Sequence, residues 1–231
     1  MAINDQVKFT WVGHGTWKVR TARGKEMLID AWVTTNPVAP DHLKKIDRLD
    51  IMVITHGHGD HVADAVEIAK ATRPKVLAPF EVGDWLTKQG VEDVIAFGKG
   101  GTVEVDGISF TMVHAEHFSS TPDGAYAGEP VGYVIQFENG FKIYFSGDTD
   151  VFGDMALIKE LDQPEVAFLS IGDFYTMGPL RAAKAVELLG VKTVVPMHFG
   201  TFPALHGTPA QLEELAGPGV TVLDIKPGDE V

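Results

Sequence analysis

Apolar positions in the first thirty residues fall in short β-like runs, Val7 to Val12, Thr16 to Arg20 and Met27 to Asp30, broken at Gly13-His14-Gly15 and Arg23-Gly24-Lys25. This pattern predicts hairpin strands. The apolar run Ile51 to Ile54 is followed by a His/Gly segment and then by Val62 to Ala71, where Val62, Ala65, Val66 and Ala69 recur at helical spacing. Strand, loop and helix follow in that order. Further βα material comes next: Lys75 to Ala78 as a strand, Glu81 to Gln89 as a helix closed by Gly90, and Val94 to Phe97 as a strand. The middle of the chain reads as β-rich. Thr102 to Val105 and Ile108 to Val113 flank the hairpin signal Asp106-Gly107, and Val131 to Phe137 faces Lys142 to Phe145 across Asn139-Gly140. In the last third, strands Val166 to Ile171, Thr193 to Pro196 and Val220 to Ile225 alternate with helices Pro179 to Leu189 and Pro209 to Leu215, whose prolines suit a first helical turn. Ser119 to Pro130, rich in Gly, Pro, Ser and Thr, is the longest weakly patterned stretch, and a loop of that kind is expected to edge a substrate pocket.

Composition narrows the chemistry. A chain of 231 residues with 45% hydrophobic content can bury one substantial core, so residues 1–231 are read as a single α/β domain. There are no cysteines, which excludes disulfides, thiolate metal sites and a cysteine nucleophile. Any metal must then be held by nitrogen and oxygen. The net charge of -13 repels phosphate backbones and anionic membrane surfaces, so no nucleic-acid or membrane partner is expected. Residues Met1 to Gln6 lack the basic and apolar segments of a signal peptide, and no apolar run approaches the roughly 20 residues of a bilayer span. A cytoplasmic protein acting on a small molecule is the expectation, with a homo-oligomer left open.

The chemistry concentrates in His56-Gly57-His58-Gly59-Asp60-His61, directly after a buried strand. At the His and Asp frequencies of this chain, such a spacing arises by chance in about one chain of this length in a thousand. Imidazole and carboxylate together suit zinc, manganese or iron. Three more candidate ligands stand at or just beyond the ends of expected strands, where α/β sites assemble: His117, Asp148 and His198. His114 lies three residues before His117 and competes with it, although strand alternation would point the two to opposite faces. His14, Asp173 and His206 are candidates for places behind the ligands or against substrate. His42 reads as solvated surface, and Trp11, Trp17, Trp32 and Trp85 read as core or near-core.

These residues resemble the metallo-β-lactamase superfamily, and within it a prokaryotic group of single-domain metal-dependent hydrolases related to the ascorbate-6-phosphate lactonases. The resemblance runs through Gly13-His14-Gly15-Thr16, Leu28-Ile29-Asp30 with Asn36-Pro37, Thr55 to His61, His117, Tyr144 to Thr149, Ile171-Gly172-Asp173 with Thr176 to Pro179, and Pro196-Met197-His198 with Thr201-Phe202-Pro203. It implies a four-layer αββα sandwich, an α/β fold, holding two divalent ions, with zinc ahead of manganese and iron. Carried over by position, it implies that His56, His58 and His117 bind one ion and Asp60, His61 and His198 the other. Asp148 would bridge them together with a water or hydroxide, and Asp60 and Asp148 would be the catalytic carboxylates. The implied reaction is hydrolysis of a small-molecule ester, lactone, amide or phosphodiester. Phe118, Phe145 and Ala31 depart from the family pattern, so the pocket lining is this chain's own. Two other activities are hosted by the same fold. A diiron redox enzyme usually carries Glu where His58 stands, and an RNA-processing nuclease usually carries an additional domain or arm. A non-catalytic metal-binding protein is disfavoured by the complete ligand set.

Overall fold

A computed structural model describes residues 2–231. The chain divides into two compact units, each an α/β layer with its own sheet and helices.

The first unit comprises residues 1–101, 118–130 and 226–231. Its sheet contains β1 (Lys8–Gly13), β2 (Thr16–Arg20), β3 (Glu26–Ile29), β4 (Ile51–Val53), β5 (Lys75–Pro79) and β6 (Val94–Phe97), adjacent in sequence order. The first three strands form an antiparallel meander, and β3 to β6 run parallel. Trp11 and Trp17 lie directly opposite across β1 and β2, stacked with ring centroids 5.9 Å apart. A cross-strand aromatic pair of this kind fixes register. The helices are α1 (Gly59–Val62), α2 (Ala65–Thr72) and α3 (Phe80–Lys88). Ala65, Ala69, Val82 and Leu86 pack on Leu28, Met52, Ile54, Val76 and Ala78, alternate positions of the sheet. Val53 and Leu77 on the opposite face are also fully buried, which explains why the parallel strands read as continuous apolar runs. The carboxyl-terminal residues extend the β1 edge, with Trp11 N–H donating to the Asp229 carbonyl and Val231 N–H to that of Phe9.

The second unit comprises residues 102–117 and 131–225. Its strands are β7 (Thr102–Val105), β8 (Ile108–His114), β9 (Val131–Gln136), β10 (Lys142–Phe145), β11 (Val166–Ser170), β12 (Thr193–Met197) and β13 (Thr221–Val222). The same scheme recurs: an antiparallel meander through β10, then parallel pairing through β13. Helices α4 (Met155–Leu161), α5 (Pro179–Leu189) and α6 (Pro209–Ala216) cover one face. Tyr144, Ala167, Leu169 and Val194 meet Met155, Ile158, Ala182, Ala185, Val186 and Leu212 there. α5 begins with Pro179 in its first turn and ends at Gly190 in the left-handed conformation, while Thr208 and Gln211 form a reciprocal capping box for α6.

Most expected elements form within a residue or two of their anticipated ends. The helix anticipated over Val62 to Ala71 is instead two pieces. Asp64 leaves helical geometry between α1 and α2, and its carboxylate accepts hydrogen bonds from the Val33 and Thr34 N–H groups at 2.6 and 2.8 Å. A long-range tie overrides local periodicity there. Helix α4 has no sequence-based counterpart: Met155 and Ile158 are buried, but Leu157 and Leu161 are exposed, so its apolar residues mark no single face. The strand anticipated over Val220 to Ile225 is confined to Thr221–Val222. Among the described residues, no helix is long and apolar enough to cross a membrane.

Candidate metal centre

In the first unit, β1, β3 and β4 point the same way, so their carboxyl ends share one sheet edge. His14 follows β1, Asp30 follows β3, and Thr55 to His61 follow β4. His56 Nδ1 lies 2.9 Å from Thr55 Oγ1, and its Nε2 lies 3.0 Å from His58 Nδ1. Two ring nitrogens this close either share one proton or direct both lone pairs at a cation. His61 is held from behind. Its Nδ1 lies 2.7 Å from Asp30 Oδ2, and the Asp30 carboxylate also accepts from Thr55 N–H at 2.8 Å and from Thr55 Oγ1. An Nδ1–H directed at a carboxylate puts the imidazole lone pair on Nε2, the tautomer a metal ligand needs. Burial raises the Asp30 carboxyl above its ordinary range, and His61 and Thr55 offset only part of that rise.

Asp60 is fixed by the fully buried His14, whose Nε2 lies 2.9 Å from Asp60 Oδ2 and whose ring meets Trp32 edge-on. One ligand atom each from His14, Asp60 and His61 lie within 4.8 Å of one another. This proximity depends on Gly15, where a Cβ would come 2.7 Å from His61 Cε1. The segment 118–130 belongs to this unit, and Ser119 Oγ accepts a hydrogen bond from Gly57 N–H at 3.1 Å, tying it to the His/Gly loop.

In the second unit, β8, β10, β11 and β12 also point one way, and His117, Asp148, Asp173 and His198 follow them in turn. Asp148 is the centre of this edge. Its Oδ2 lies 2.9 Å from His198 Nε2 and 3.8 Å from His117 Nε2, and all three side chains are almost fully buried. A buried carboxylate between two imidazoles is costly unless a proton or a cation is shared. His198 adopts φ 56°, and a Cβ at Gly172 would run into the His198 carbonyl oxygen, so this close approach requires glycine.

The donor set suits a divalent metal. Ligands at 2.0–2.1 Å around a tetrahedral ion stand roughly 3.3 Å apart. The spacings of 2.9, 3.0 and 3.8 Å within the two edges bracket that value. Nitrogen and carboxylate oxygen are the only donors offered, in line with the absence of cysteine.

The first edge therefore gathers His14, His56, His58, Asp60 and His61, and the second gathers His117, Asp148 and His198. His114 lies apart: it is exposed, with Nε2 3.2 Å from Glu116 and its ring against Phe152. Asp173 caps its own turn by accepting from Phe174 N–H at 2.8 Å, and its other oxygen lies 3.8 Å from His206 Nε2. His206 is exposed and borders no candidate ligand through the bonds its ring makes, of which Nδ1 to the Ala204 carbonyl at 2.7 Å is the shorter. Sequence reasoning gave no role to Asp30 or Thr55. The available signal was an acidic residue ending β3, in parallel register beside the strand that leads into the histidine loop.

A family model described as the Beta-lactamase superfamily domain matches residues 25–199. A UPF0173 metal-dependent hydrolase of Koribacter versatilis is 49% identical over 229 residues, covering 96% of this chain and 97% of the relative. Among solved structures, Igni18, a metallo hydrolase of Ignicoccus hospitalis, superposes with a TM-score of 0.86 at 35% identity, covering 97% of each chain. An isothiocyanate hydrolase from Delia radicum gut bacteria shares the fold, with a TM-score of 0.75 at 21% identity over 97% of this chain and 98% of that one. Two mixed sheets flanked by helices, with candidate imidazole and carboxylate ligands gathered beyond strand ends, define a metallo-β-lactamase fold hydrolase. The chain belongs to the β-lactamase superfamily, among its UPF0173 metal-dependent hydrolases.

Proposed function

We propose that the chain is a binuclear hydrolase that cleaves a small-molecule ester, lactone, amide or phosphodiester. His56, His58 and His117 hold one divalent cation, Asp60, His61 and His198 the other, and Asp148 serves both. Zinc is the first choice, because the ligands are three imidazoles on one side, and two imidazoles with one carboxylate on the other. The observation that carries this reading is the buried Asp148 between His117 and His198, an anion whose burial makes sense as the counter-charge of metal. Divalent cations supply the Lewis acidity, and the acidification of water, that hydrolysis near neutral pH requires. The chain's own residues do the rest. Asp30 keeps His61 in its ligand tautomer, and Thr55 orients both Asp30 and His56. His14 aims the Asp60 carboxylate, which is placed to carry a proton between water and leaving group. The acidic surplus and the absence of cysteine favour a cytoplasmic setting.

The test is a panel of lactones, esters, amides and phosphodiesters assayed with metal-quantified and chelator-stripped protein. Hydrolysis is expected only with metal, and to be lost in His56→Ala and Asp148→Ala. Turnover that survives in the stripped protein, or in either variant, would refute the assignment.

A further inference from the structure

Both units display exposed aromatic side chains beside their candidate ligands. In the second unit, the loop after β11 carries Phe174 and Tyr175, 69% and 51% exposed, with rings edge to face at 4.7 Å. This loop is built against the ligands. Gly172 abuts the His198 backbone, and Met177 N–H donates to the carbonyl of Thr149, the residue after Asp148. Asp173 and Phe174 sit at φ 67° and 63°, consecutive left-handed positions that cost conformational free energy, most of all for a bulky residue such as Phe. Tyr175 N–H to the Asp173 carbonyl, Asp173 N–H to that of Met177 and Gly207 N–H to that of Gly172 hold the strain in place. Strain that presents an aromatic ring to solvent has no folding benefit. In the first unit, Phe118 is 65% exposed, and its ring lies edge to face on His58 at 5.0 Å.

Charge points the same way. Residues 118–130, 172–178 and 199–207 contain no lysine or arginine, and they carry Asp123, Asp173 and Glu129, the last paired with Lys99. The nearest arginine along the chain to the Phe174 loop, Arg181, is engaged by Asp150 at 2.5 Å. A phosphate or carboxylate tail would find no guanidinium or ammonium partner in these loops.

Resting on the hydrolase reading above, we infer that the substrate is an uncharged carbonyl compound bearing an aryl or alkyl group, with Phe174 and Tyr175 setting this specificity. Residues 172–178 offer a phosphorylated or acid-tailed substrate no cationic side chain.

The test measures binding of product-like carboxylates to metal-loaded protein by calorimetry: 4-phenylbutyrate, butyrate and glutarate, the last placing a charge where the ring would lie. 4-Phenylbutyrate is expected to bind about tenfold more tightly than butyrate, and glutarate no more tightly than butyrate. Phe174→Ala and Tyr175→Ala should shrink the phenyl preference severalfold at undiminished metal content. Phe174→Gly separates ring from backbone: it relieves the positive φ, so Tm should hold or rise while the preference still falls. Hydrolysis of γ-phenyl-γ-butyrolactone over γ-butyrolactone, reduced by the same variants, would be the kinetic counterpart. Ring-independent binding, a glutarate preference, or an unchanged ratio in all three variants would overturn the inference. If neither lactone is hydrolysed, the binding ratios still decide it, and the hydrolase reading is judged by its own panel.

Discussion

Replacing Asp30 with Asn should weaken metal binding without touching a ligand. Asp30 is fully buried, and its carboxylate accepts from Thr55 N–H at 2.8 Å, from Thr55 Oγ1 and from His61 Nδ1 at 2.7 Å. An amide keeps only one acceptor oxygen. If that oxygen stays with Thr55, the new NH2 faces His61 Nδ1, which must then accept, and the ring proton moves to Nε2 where a metal should bind. Loss of such a supporting partner costs about 10- to 100-fold in metal affinity. That is about 1.4 to 2.7 kcal/mol. For a domain of this size each kcal/mol corresponds to about 2–4 °C, so the metal-induced rise in Tm should shrink by roughly 3–11 °C. Chelator competition would measure the affinity, and thermal unfolding with and without zinc the shift. Wild-type affinity and an undiminished shift in Asp30→Asn would refute the role assigned to Asp30.

Further outcomes follow from individual contacts. Gly172→Ala should displace His198, lowering both Tm and metal content; wild-type values in both measurements would show that the strand end can give way. His14→Ala frees the Asp60 carboxylate and should reduce kcat roughly 10- to 100-fold at full metal content, and an unchanged kcat would remove His14 from the site. The Tyr144 hydroxyl is buried with no hydrogen-bond partner, and burial pushes its pKa well above the usual phenol range. Tyr144→Phe should therefore leave Tm unchanged or raise it, because no bond is lost and a desolvated hydroxyl is removed; a fall of several degrees would reveal a partner.

Much of the molecule is legible in the sequence, and the exceptions share a physical cause. Thr16 to Arg20, Lys142 to Phe145 and Pro179 to Leu189 form as anticipated because period, turn residues and caps all agree within each segment. The histidines and aspartates that gather on the two sheet edges follow strand ends directly or, for Asp60 and His61, stand in the short helix α1 just beyond one, and that too is visible in the chain. The break at Asp64 and the pairing of Asp30 with His61 were not, since each joins residues about thirty positions apart through side-chain bonds. Nor was the strained turn at Asp173 and Phe174, because neither residue advertises a left-handed backbone. Local pattern reports elements; it does not report which side chain supports which.

The proposed binuclear hydrolysis is tested most directly by titrating stripped protein with zinc and following bound metal and hydrolysis together. Two ions per chain are expected, with activity rising as they bind, and each of His58→Ala and His198→Ala should lose one ion and most of the activity. Full activity without metal, or two ions retained by both variants, would contradict it.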